Sequence, residues 1–102
     1  MSNHDPLDIQ SQDRSRANSE ARGKAANETE EADIKWLMST KRGRRIMWRQ
    51  LDRAGVFRSS FSTNAMQMAF AEGNRNDGLR ALAQIMALCP ELYPTMVREN
   101  TQ

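Results

Sequence analysis

Residues 33–61 read DIKWLMSTKRGRRIMWRQLDRAGVFRSSF, and this stretch decides the fold. Both tryptophans of the chain, Trp36 and Trp48, lie in it. On its N-terminal side Ile34, Leu37 and Met38 fall at i, i+3 and i+4, one apolar stripe of a helix. On its C-terminal side Met47, Leu51 and Ala54 fall at i, i+4 and i+7, and Trp48 extends the same face. Between the stripes stand Lys41, Arg42, Arg44 and Arg45, interrupted by Gly43. The stretch reads as two amphipathic helices that meet across a basic joint.

Working outward, the first helix is expected over about residues 29–38. Thr29 is a candidate cap, and Glu30, Glu31 and Asp33 sit in the first turns, where the helix dipole favours acids. The second is expected from near Thr40 to Ala54, with Gly55 as its C-cap. Ser62 or Thr63 then caps a third helix over residues 64–72, with Met66 and Phe70 as an i, i+4 pair. Gly73 is expected to end it, Asn74 and Asn76 suit a turn, and Asp77 is placed to cap a fourth helix over residues 78–89. Pro90 stops that helix. A short last one over residues 91–99 tolerates Pro94 if the proline falls in the first turn. No segment alternates with a period of two. The expected fold is all-α, a small bundle of four to five short helices over residues 29–102.

Residues 1–28 form a polar arm in this reading, with Leu7 and Ile9 as the only sizeable apolar side chains. Little there offsets an ordering entropy of roughly 1–2 kcal/mol per residue, so the arm is expected to be disordered alone and ordered by a partner. The run 19–32 holds fair helix formers, weakened by Gly23. Charge divides along the same line. Residues 1–33 hold eight acids and four bases, whereas residues 34–102 hold eleven bases and five acids. A body of that sign suits an anionic partner or its own acidic arm. A core of some 70 residues buries only about 60 % of its unfolded surface, which points to self-association or a partner.

Several classes of chemistry find no support. The single histidine, His4, lies in the arm, so no histidine triad and no His–Cys zinc site is expected. Cys89 excludes an internal disulfide and reads as a buried structural thiol. The run 73–84 resembles a calcium loop only faintly, because Gly73 and Gln84 stand where acidic ligands belong. No metal, cofactor or catalytic residue is therefore assigned, and an enzyme is not expected. The N-terminal residues carry neither a basic n-region nor an apolar h-region, and no window spans a membrane. Most methionines fall beside Leu and Phe at core spacing, while Met68, off the main stripe, is the one expected to face a partner.

The basic joint has two readings. If the first helix continues to Arg42 with Gly43 as its C-cap, Lys41 and Arg42 complement its dipole and need no partner. If the second helix already contains them, they oppose its dipole by roughly 0.3–1 kcal/mol each, and an external anion relieves that cost. The second reading is preferred, since Arg49, Arg53 and Arg58 enlarge the same region. The candidate partner-binding or nucleic-acid-binding residues are thus Lys41, Arg42, Arg44, Arg45, Arg49, Arg53 and Arg58. A base-reading helix-turn-helix fits less well, because Trp48 and Leu51 occupy positions where polar base contacts are needed.

The motifs K-R-G-R-R, A-G-V-F-R-S-S-F, F-x-E-G-x-R-N and A-L-C-P-E occur in that order within residues 31–99. This stretch resembles the Bbp19-like family of small proteins of tailed phages; Pro94 departs from the pattern. The resemblance implies a protein encoded among head and tail morphogenesis genes and carries over no catalytic residue. It leads to an expectation of a multi-copy virion structural or accessory protein at the portal or head–tail vertex, or with the internal ejection proteins. The expected partners are other virion proteins and DNA, gripped mainly through phosphates, with further copies of the chain beside it. Its expected location is the virion, and the host cytoplasm during assembly. The alternatives are a non-virion DNA-binding packaging accessory or regulator, and an assembly scaffold lost on maturation.

Overall fold

The computed structural model describes residues 6–101; the first five residues of the expected arm lie outside them. Four helices follow one another: α1 (Pro6–Met38), α2 (Lys41–Arg53), α3 (Ala65–Leu88) and α4 (Leu92–Asn100). No strand occurs among the described residues. The all-α reading holds. The chain divides into two units, Met1–Glu30 and Glu31–Gln102.

In the first unit, the described part of the expected arm is helical rather than irregular. Pro6 occupies the first helical position, where its missing N–H is harmless, and Asp8 lies in the first turn. Side chains from Asp8 to Asp33 are all exposed, so no packed face explains the helix. Charge spacing favours it only weakly. Arg16, Glu20, Lys24 and Glu28 recur every fourth residue with alternating sign, an arrangement worth roughly 0.2–0.5 kcal/mol per pair.

In the second unit, Met38 at the end of α1, Leu51 of α2, Ile85 of α3 and Met96 of α4 are fully buried, and Val56 and Cys89 complete the core. α2 packs on both α3 and α4. Its start is fixed by Thr40, whose hydroxyl accepts the Gly43 N–H at 3.0 Å. That places Lys41 and Arg42 in α2 and rules out Gly43 as a C-cap of α1. Gly43 is glycine for another reason: a Cβ there would lie 1.7 Å from the Leu37 carbonyl oxygen, so the first turn of α2 presses on the last turn of α1. The far end of α2 closes as expected. Gly55 takes φ +81°, its N–H bonds the Asp52 carbonyl, and the Val56 N–H bonds the Leu51 carbonyl. This pair of bonds is a Schellman motif, with Leu51 and Val56 both buried.

α3 differs from expectation in two ways. Its cap is Asn64 rather than Ser62 or Thr63, accepting the Met66 and Gln67 N–H groups at 3.0 and 3.1 Å. It also runs unbroken through Gly73 and Asp77, so the expected third and fourth helices are one. The glycines explain this. Gly73 is exposed with open space around it, and a helical glycine costs only about 0.5–1 kcal/mol relative to alanine. Gly78 is buried because α3 crosses the α2 terminus there; a Cβ would sit 2.5 Å from Val56 Cγ2 and 2.8 Å from Ala54 Cβ. In α4, Pro94 falls in the first turn, as the expectation required.

The two glycines of α3 respond oppositely to the same substitution. Gly73→Ala is expected to raise stability by about 0.5–1 kcal/mol. Gly78→Ala is expected to lower it by about 1–3 kcal/mol through overpacking against Val56. Thermal unfolding of both variants checks this, each kcal/mol moving the midpoint by roughly 4–8 °C in a domain of this size.

Candidate polyanion-binding face

α2 carries six bases and one acid in its 13 residues, KRGRRIMWRQLDR, with no acid in its first turn. Lys41, Arg45, Arg49 and Arg53 recur every fourth residue and therefore share one face, rising about 6 Å at each step. Arg42 lies beside them. All five are exposed, and none forms an ion pair with another described residue. The opposite face holds Met47, Trp48 and Leu51 against the core, where Trp48 stacks on Phe57 at a centroid distance of 4.6 Å. One helix thus has an apolar side turned inward and a cationic side turned outward.

Arg44 belongs to neither group. Its side chain is only 12 % exposed. Nε and Nη2 donate to the two Glu99 carboxylate oxygens at 2.5 and 3.0 Å, and Nη1 donates to the Met38 carbonyl at 2.9 Å. The planar fork holds α2 to α4 and satisfies a free carbonyl at the end of α1. Of the seven cations the sequence singled out, this one is a structural clamp. Arg58 is set apart as well: it follows α2 in the loop, exposed, with Nη2 donating to the Asp52 carbonyl at 2.6 Å.

Among the described methionines the most exposed is Met66, not Met68. Met68 is half-buried, whereas Met66 is 84 % exposed, beside exposed Phe61 and Phe70. The i, i+4 pairing of Met66 with Phe70 was the available signal; nothing in the sequence told that its stripe faces outward. Cys89 is buried, and burial pushes its thiol up from the ordinary range. Among the described residues no group of three His, Cys, Asp or Glu is placed to hold a metal ion, and no helix is long and apolar enough to cross a membrane.

The clamp has a pH signature. The Arg44 hydrogen bond holds the Glu99 carboxyl below the usual carboxylate range, against a smaller opposing effect of desolvation. A carboxylate depressed in the folded state contributes stability above its unfolded pKa of about 4.3, and that contribution is lost as pH falls through the lower folded value. Wild type is expected to be more stable than Glu99→Gln at neutral pH. The gap should close as pH drops below about 4, read from denaturant midpoints across a pH series.

The family model of Bbp19-like phage proteins matches residues 34–98. The match begins in the last turns of α1, takes in α2 and α3, and ends within α4. It includes all seven candidate cations, together with the Arg44–Glu99 clamp apart from Glu99 itself. No curated protein and no solved structure matches the chain. With well over half of its 102 residues covered, the chain belongs to the Bbp19-like phage proteins.

Proposed function

We propose that this phage protein is a multi-copy structural or accessory component of the virion, at the portal or head–tail vertex or with the internal ejection proteins. In this reading it binds and does not catalyse. The outer face of α2 grips a polyanion, either the phosphates of packaged DNA or an acidic surface of a neighbouring virion protein.

The observation that carries the binding role is the contrast between two helices of one chain. On α1 the charges of Arg16, Glu20, Lys24 and Glu28, four residues apart, alternate in sign. On α2 the charges at that spacing all have one sign. Each like-charge i, i+4 pair costs roughly 0.2–0.5 kcal/mol, and cations in the first turn further oppose the dipole. A bound polyanion relieves these costs together. Arginine and lysine on phosphate fix position and carry no sequence information, so binding is expected to be indifferent to DNA sequence.

The test is fluorescence anisotropy of labelled duplex DNA against salt. Five cations on phosphates give a slope of about −4 to −5 in log affinity against log salt. Arg45→Gln with Arg49→Gln is expected to make that slope shallower by about 2 and to leave the protein as stable as before or slightly more so. Affinity for neither DNA nor an acidic protein at low salt would remove the binding role. Quantitative mass spectrometry of purified particles separates the two settings. A fixed stoichiometry of several copies supports the virion role; absence from particles moves the same face to a packaging accessory, regulator or scaffold.

A further inference from the structure

Two exposed apolar surfaces lie at opposite ends of α2. Past its C-terminus a cleft of about 260 Å³ opens between the α2–α3 loop and α3. Arg58, Arg75 and Phe70 line it. Arg75 donates Nε to the Arg58 carbonyl at 3.1 Å, and Arg58 donates to the Asp52 carbonyl at 2.6 Å. Main-chain contacts therefore hold both guanidinium groups, and neither pairs with a carboxylate of a described residue. At the adjoining end of α3, Phe61, Met66 and Phe70 are 78 %, 84 % and 72 % exposed. Met66 and Phe70 share one face of α3 at i, i+4, and exposed apolar side chains so placed mark a contact surface.

The second surface precedes the N-terminus of α2. Trp36 is 72 % exposed, and Asp33 lies three residues before it on the same helical face, also exposed. The run 25–34 around Asp33 contains four acids and no base. One end of the molecule thus offers an aromatic anchor with a carboxylate, and the other an aromatic and methionine patch with two fixed arginines.

We propose that these are the two halves of one contact between copies of this chain. Trp36 of one copy seats against Phe61, Met66 and Phe70 of the next, and Asp33 meets Arg58 and Arg75. Apolar surface covers apolar surface, and acid meets base. A chain cannot close this contact on itself, because the 13 residues of α2 separate the surfaces by about 20 Å. The contact is heterologous, so copies join head to tail and form a ring if the rotation closes. It leaves Lys41, Arg42, Arg45 and Arg49 open, so it goes beyond the polyanion role and does not depend on it.

A heterologous contact has a test that an isologous one fails. Light scattering coupled to size exclusion is expected to show the full chain above 11.6 kDa, with mass rising as concentration rises. Trp36→Asp and Phe70→Asp each alter an exposed side chain and are each expected to give monomer. Mixed in equal amounts, each supplies the half the other lacks, and the mixture is expected to stop at twice 11.6 kDa. The proposal is overturned if wild type stays monomeric, if either variant assembles like wild type, or if the mixture stays monomeric. Monomeric wild type with single-stranded DNA binding lost in Phe70→Asp would assign the cleft to nucleic acid instead. DNA affinity of the Arg45 and Arg49 variant is read separately, so failure here and failure of the polyanion role are distinguishable.

Discussion

The forked contact from Arg44 to Glu99 sets how α2 is turned, and much else follows from that rotation. Its third hydrogen bond, to the Met38 carbonyl, ties in the end of α1, so one guanidinium joins three helices. With Arg44 drawn inward on the face of Leu51, the helical period turns Arg42, Arg49 and Arg53 to the far side and leaves Lys41 and Arg45 on the flank. The clamp and the cationic face are therefore two consequences of one register. Gly43 keeps that register by letting the first turn of α2 approach the Leu37 carbonyl closer than any side chain permits.

Local signals in the sequence were legible where the cause is local. α2 begins near Thr40 and closes at Gly55, and Pro94 falls in a first turn, as expected, since each signal acts on its own few residues. Misreadings arose where the cause is distant or cumulative. Arg44 looked like its neighbours because Glu99, which singles it out, is 55 residues away. Gly78 looked like the first residue of a separate helix, yet it lies inside α3 and is required there by Val56 and Ala54 packing across it. Over the polar arm the only helical signal of this kind is weak, the alternating charges at residues 16, 20, 24 and 28. A reading based on apolar burial does not weigh them.

The same division explains the character of the candidate site. Repetition of one charge at helical spacing is readable from sequence, and five of the seven singled-out cations do lie exposed along α2. Which apolar side chains remain uncovered is not readable, because Met66 with Phe70 has the spacing of any core pair. Among the described residues the core is small, four fully buried side chains with two more beside them, while Trp36, Phe61 and Phe70 remain in solvent. Much of the aromatic and cationic surface of this Bbp19-like protein therefore lies outside its core.

The central claim is that adjacent arginines on α2 do opposite work, Arg44 holding the fold and Arg45 serving a polyanion. Thermal unfolding of Arg44→Gln and Arg45→Gln, each with and without heparin, tests it directly. Arg44→Gln is expected to unfold at a lower midpoint that heparin still raises. Arg45→Gln is expected to unfold at or slightly above the wild-type midpoint, with a smaller rise on adding heparin. Equal behaviour of the two variants, or the reverse assignment, would contradict the claim.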